Sequence, residues 1–382
     1  MKGFIKFLLS LTVVLVITIL VVFVTGNQYL LKGVWATYLH GETSATITDK
    51  QFFDQRTVTA SAGQAWPKAQ QYNQQSLSDT LAKTLEATAS IAFVVIKNDS
   101  LLVERYWQGF SDSSQTNSFS MAKSITAMLA QMAIQKGIFT GWDQKVQDIL
   151  PGLSGAYKAQ LELQHLANMT AGLQWNEHYQ NPFDITARAY YGPDIQDLML
   201  NEVPVVQEPG ASFEYQSGAT QLLGLCLREA TGKTLSQLAS EWLWQPMGAT
   251  RNASWHVDSE AGMELNYCCF NSDAKNFARF GQLILRKGNW QGRQLLDSSF
   301  VKRLYQASPV PHYSFSFWRQ LKGFGSPVVY MRGILGQYVM VFPEQNLVVV
   351  RLGHQRLPKA DDSPHPQDFE LYAQEALKYF GY

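Results

Sequence analysis

The runs best suited to β-strands stand at opposite ends of this chain's body, and that separation limits what it can build. Ile91–Ile96 and Leu101–Trp107 are apolar and β-branched, joined by the turn Lys97-Asn98-Asp99-Ser100. Val328–Arg332, Gln337–Phe342 and Leu347–Leu352 are of the same kind, the last two linked through Pro343-Glu344-Gln345-Asn346. Between these groups the pattern turns helical, with Gln221–Thr231, Leu235–Leu243 and Asp273–Lys287 the clearest segments. A helix capped by Ser78 or Asp79, burying Leu81 and Leu85, precedes the first hairpin. An amphipathic helix, Asp368–Phe380, closes the chain. The expected fold is therefore α+β: an antiparallel sheet flanked by terminal helices, with a helical lobe inserted at about 120–262.

The 382 residues, 46% of them hydrophobic, supply a sizeable core for one domain or two lobes. The 31 basic and 31 acidic side chains cancel, which argues against a nucleic-acid groove or an anionic surface as the main partner. Lys2 and Lys6 precede an uncharged apolar run, Phe7–Val24, long enough to span a bilayer. No Ala-x-Ala-like site follows, only the marginal Val24-Thr25-Gly26, so residues 1–26 read as an uncleaved signal anchor. The two lysines place its start in the cytoplasm and the body outside the cytoplasmic membrane, in the periplasm or its equivalent. Residues 27–77 are polar and weakly periodic and read as a tether with an N-terminal extension; 78–382 read as the functional domain.

Three cysteines occur. Cys226 reads as a small core residue, and the adjacent Cys268 and Cys269 read as free thiols, although an exported protein could oxidise them. The histidines form no ligand-spaced cluster, so no metal site is expected.

Ser120-Met121-Ala122-Lys123 heads an apolar-striped helix that carries Ile125, Met128, Leu129 and Met132, a stripe that reads as core. Residues three apart on a helix share a face, so Lys123 can stand beside Ser120. A serine hydroxyl needs a neighbouring base to act as a nucleophile, and a buried lysine can be that base. The tetrapeptide is weak alone: Ser299-Phe300-Val301-Lys302 has the same spacing, and each fits an ordinary N-cap serine with an exposed lysine. Two further features strengthen the first. Tyr215, in the turn Pro209–Ser217, is a phenol able to relay protons. Gly333, at the end of a strand, permits close backbone approach, so the amides of Ile334 and Ser120 could form an oxyanion hole.

In this order, Ser120-x-x-Lys123, Tyr215 and Gly333-Ile334-Leu335-Gly336-Gln337 resemble the serine β-lactamase and penicillin-recognising superfamily. The resemblance runs over about Ser78–Phe380 and is nearest the class C-like branch, which includes esterases, D-aminopeptidases and 6-aminohexanoate-dimer hydrolases. Leu166–Trp175 and Phe277–Leu283 also look like that branch. It implies a β-lactamase/transpeptidase-like fold and a serine hydrolase of small amides or esters that needs no cofactor. Ser120 would be the acylated nucleophile, Lys123 its base and Tyr215 the proton relay, with Ser217, Gly333 and Trp175 at the substrate. Two departures stand out. Ser217 replaces the asparagine of Tyr-x-Asn, and Met331-Arg332-Gly333 replaces Lys-Thr-Gly or His-x-Gly. Arg332, one residue along the strand, is expected to face away from the Met331 side. These changes favour the amidase and esterase type over a β-lactamase or D,D-peptidase, which is the second reading. A non-catalytic acyl-binding sensor is the third, disfavoured because binding alone needs no base. Trp175, Tyr179, Tyr190, Tyr191 and Trp318 could line an apolar cleft, although each also suits the core.

Overall fold

The computed structural model describes residues 1–381. Helix α1 (Lys2–Val24) buries none of its residues, and α2 (Tyr29–Ala36) follows it directly. Strand β1 (Gln55–Val58), helix α3 (Asp79–Ala87), β2 (Ser90–Lys97), β3 (Ser100–Tyr106) and β4 (Thr116–Asn117) lead to α4 (Met121–Gln135). The lobe beyond contains α5 (Ile185–Tyr191) and α6 (Ser217–Thr231), then β5 (Ala253–His256), β6 (Phe270–Ser272) and α7 (Ala274–Leu285). Helix α8 (Ser298–Leu304) precedes β7 (Tyr313–Ser314), β8 (Phe317–Gln320), β9 (Val328–Gly333), β10 (Gln337–Phe342), β11 (Leu347–Gly353) and α9 (Gln367–Phe380).

The main sheet runs β3-β2-β11-β10-β9-β8-β7, antiparallel throughout, so the first hairpin joins the last strands as the sequence predicts. Strands β2, β9, β10 and β11 read as nearly continuous apolar runs because both faces of the sheet are covered. On one face lie α3 and α9, where Phe369 stacks on Tyr330 at 4.0 Å. The Ser78 hydroxyl caps α3 by accepting from the Leu81 amide at 3.1 Å, as its position suggested. On the other face lie α4 and α7. A side chain at Gly281 of α7 would stand 2.6 Å from Val348 and 2.7 Å from Val339, so glycine sets that close helix–sheet approach. Helix α4 is buried from Met121 to Ala133, polar residues included, because sheet and lobe enclose it; Met128 and Met132 are core.

Residues 27–77 are not a loose tether. Strand β1 pairs with β5 in a second antiparallel sheet, β1-β5-β6-β4; Ile47 and Val58 are fully buried, and α2 packs against α5. The polar composition hid this because each element there buries only a few side chains. Cys268 and Cys269 are joined by a disulfide rather than free, with Cys269 in the left-handed region at φ 71°. Cys226 is a buried free thiol.

Candidate active site

The loop before α4 is built to present one side chain. Phe119 has φ 45°, a conformation that costs a non-glycine residue on the order of 1–3 kcal/mol. Neighbouring bonds hold it there: its amide donates to Asn117 Oδ1 at 2.8 Å, and the Ser118 amide donates to the Phe270 carbonyl at 2.9 Å. Ser120 then opens α4, but its hydroxyl caps no helix amide. It faces Lys123 instead, Nζ to Oγ 3.0 Å.

Lys123 is 1% exposed and carries no direct ion pair among the described residues. Burial lowers its pKa to about 8, with the Glu177 carboxylate opposing the fall. Nζ has two further partners, Ser217 Oγ and the Tyr267 carbonyl, each at 2.9 Å. Proton counting then orients the amine. A carbonyl only accepts, and the Ser217 hydroxyl donates its own proton to Glu177, so it too accepts from Nζ. In the neutral amine both N–H bonds are thereby taken, and the lone pair is left for the Ser120 proton.

Glu177 anchors this arrangement by accepting at Oε2 from the Ser217 amide (2.8 Å) and the Trp175 indole (2.8 Å), and at Oε1 from the Ser217 and Tyr179 hydroxyls. Tyr215 lies beside the same amine, its ring centroid 5.1 Å from Nζ. Burial and the Glu177 charge raise its pKa, while the Ser120 hydroxyl and the Arg332 charge lower it less. The phenol is therefore protonated at neutral pH and is a proton donor there. That leaves Lys123 as the group able to start proton removal.

Gly333 brings β9 against the loop before α4: a Cβ there would overlap the Ser118 carbonyl. The turn after it carries Leu335 (φ 61°) and Gly336 (φ 82°), whose carbonyls accept from buried Arg351 at 3.0 and 2.7 Å. Ile334 and Ser120 line one cavity of about 430 Å³ together with Trp175, Ser217 and Tyr267. Residues 77–373 match the beta-lactamase family model, more than half of the chain.

The chain belongs to the beta-lactamase family.

As a member of that family it is a serine hydrolase related to 6-aminohexanoate-dimer hydrolases. It is 24% identical over 295 residues to the 6-aminohexanoate-dimer hydrolase of Paenarthrobacter ureafaciens, covering 71% of this chain and 74% of that one. A candidate 6-aminohexanoate-dimer hydrolase from Bacillus anthracis superposes with TM-score 0.71 at 21% identity, covering 87% of this chain and 92% of that one. EstCE1, a hydrolase with promiscuous acyltransferase activity, superposes with TM-score 0.54 at 17% identity over 72% of this chain and 93% of its own. These structural likenesses show the β-lactamase/transpeptidase-like fold.

Within this beta-lactamase-family site, Ser120, Lys123 and Tyr215 come together. The second tetrapeptide does not: Ser299 and Lys302 are exposed on α8, whose cap is Asp297. Ser217 and Trp175 line the cavity, yet both are also bound into the Lys123–Glu177 network. Trp175, Tyr179, Tyr190 and Tyr191 line the cleft. Trp318 does not; it stacks on Tyr215 at 5.5 Å. Register pairs Trp318 with Tyr330, so Trp318 and Arg332 share the face opposite Met331. The Arg332 guanidinium covers Trp318 at 3.2 Å and donates to the Pro364 carbonyl at 3.0 Å, and its charge still reaches Tyr215. Sequence reasoning missed Glu177, Tyr267 and Arg351. Glu177, two residues past Trp175, carried a faint signal; a backbone carbonyl such as that of Tyr267 carries none.

Proposed function

We propose that this protein is a membrane-tethered serine hydrolase that cleaves amide or ester bonds through an acyl-enzyme on Ser120. The observation that carries the reading is the Lys123 amine, 3.0 Å from the Ser120 hydroxyl and buried enough to be partly neutral near pH 8. Lys123 takes the Ser120 proton as Oγ bonds to the substrate carbonyl carbon. The amides of Ser120 and Ile334 hold the resulting oxyanion. As the tetrahedral intermediate collapses, Tyr215 gives its proton to the departing amine or alcohol and is reprotonated from Lys123. Water then repeats the sequence on the acyl-enzyme and releases the acid. The uncharged Met331, buried on the α4 side of the sheet, supports a substrate lacking the carboxylate of a β-lactam.

Helix α1 supports the tether. Its 23 residues rise about 34 Å, with mean hydropathy 3.1 in its most apolar window, and Lys2 and Lys6 favour a cytoplasmic start. The Cys268–Cys269 disulfide independently suits an oxidising compartment outside the cytoplasm. Intact mass after treatment with a fluorophosphonate, a penicillin and a nitrophenyl ester tests the chemistry. Fluorophosphonate labelling of Ser120 with ester turnover and no penicillin adduct is expected. A long-lived penicillin adduct would establish the cell-wall reading instead, and acylation without turnover the sensor.

A further inference from the structure

The cavity at Ser120 has a second wall that the hydrolase chemistry does not require. Helix α2 and the loop after it line the cavity together with Ser120, contributing Tyr29, Val34 and Tyr38. That wall hangs directly on the apolar α1. Only Thr25–Gln28 separate the two helices, and the bonds Asn27 N–H to Val22 O and Leu30 N–H to Asn27 O, both 2.9 Å, take up the slack. Four residues span at most about 14 Å even when extended. If α1 crosses a bilayer, the cavity wall lies at that bilayer's surface.

The distribution of exposed apolar side chains agrees. Eight large hydrophobic side chains that follow α1 in the chain are exposed among the described residues, and six belong to two segments at this cavity: Val34, Trp35, Tyr38, Leu39, Tyr179 and Phe183. Four of the six line the cavity itself. Tyr38, Leu39 and Phe183 are 65, 71 and 69% exposed, an unusual clustering for a surface in water but an ordinary one at a lipid interface, where tyrosine and tryptophan concentrate.

From this continuity we infer that the enzyme takes an amphiphile from the membrane: an acyl ester or N-acyl amide with a linear apolar chain. The chain lies along α2 and Phe183, and the scissile carbonyl reaches Ser120. The inference rests on the hydrolase reading and adds the substrate class to it. Helix α2 is then both the membrane-proximal wall and the surface that measures the chain.

The full-length protein in phosphatidylcholine vesicles, assayed with nitrophenyl esters from acetyl to dodecanoyl, tests it. Burial of each added methylene is expected to raise kcat/KM about three- to fourfold until the cavity is filled. Val34→Asp with Tyr38→Asp should flatten that slope, and a slope is insensitive to how much protein is folded. Dodecanoyl ester placed in the enzyme's own vesicles should be consumed faster than the same ester in separate vesicles. Hydrolysis of short esters with no gain in chain length, or equal rates from both vesicle populations, would overturn the amphiphile assignment and leave the hydrolase standing. Failure to hydrolyse any ester would overturn the hydrolase itself.

Discussion

The two Ser-x-x-Lys tetrapeptides are a controlled comparison within one chain. Both lie at the start of a helix, and both set lysine three residues after serine. On α8 an aspartate caps the helix, the serine and lysine face water, and no hydrogen bond joins them among the described residues. On α4 the residue before the serine is held in a left-handed conformation, the serine caps nothing, and the lysine has lost its water. Spacing alone therefore places two side chains on one face; chemistry comes from what is packed around them. A desolvated amine needs partners, and its partners Ser217 and Tyr267 come from segments 94 and 144 residues away.

Replacing the two serines should separate the copies most widely. Ser120→Ala should remove fluorophosphonate labelling and lower ester turnover at least about 10⁴-fold, whereas Ser299→Ala should leave both unchanged. Equal losses would end the distinction. The lysines should differ in activity and in how stability depends on pH. Lys123→Met should lower kcat/KM about 10²- to 10⁴-fold, and Lys302→Met should leave it unchanged. The folded pKa of Lys123 is lowered from 10.5 to about 8, so between those values the unfolded chain holds the extra proton. Wild-type stability should therefore rise with pH across that window, by roughly 3 kcal/mol from this residue, relative to Lys123→Met. Urea unfolding of both proteins at pH 7, 8, 9 and 10 measures the difference, and parallel curves would mean that the amine is not desolvated.

The same contrast explains what could be read in advance. The central strands, the flanking helices and the Ser120–Lys123 pair follow from periodicity and short-range spacing, which depend on neighbouring residues alone. The Phe119 backbone, the Tyr267 carbonyl and the Arg351 clamp depend on long-range contacts that leave no pattern in the sequence. Residues 27–77 were harder still. Their few buried side chains, such as Ile47 and Val58, are scattered through polar sequence, and α2 pairs with α5 across some 150 residues of chain. Arg332 shows the limit of a correct rule: it does alternate away from Met331, but its guanidinium lies over the Trp318 ring that stacks on Tyr215, so its charge still reaches the phenol.

Glu177 offers the finest test of why one copy is a site, because it touches neither Ser120 nor Lys123 and acts through Ser217. Every group that meets its carboxylate is a donor, so an amide cannot satisfy all of them. In Glu177→Gln the amide nitrogen would turn the Ser217 hydroxyl round, and its proton would then point at the Lys123 lone pair and compete with Ser120. Turnover should fall about ten- to hundredfold, the scale of a misdirected catalytic group. Loss of the carboxylate also removes the charge that holds the Lys123 pKa up, so the acid limb of kcat/KM should move to lower pH. Glu177→Asp keeps the charge and should keep the limb in place even if turnover suffers. A fall in rate with no movement of the limb in Glu177→Gln would make the carboxylate a packing residue and leave burial alone to tune the lysine.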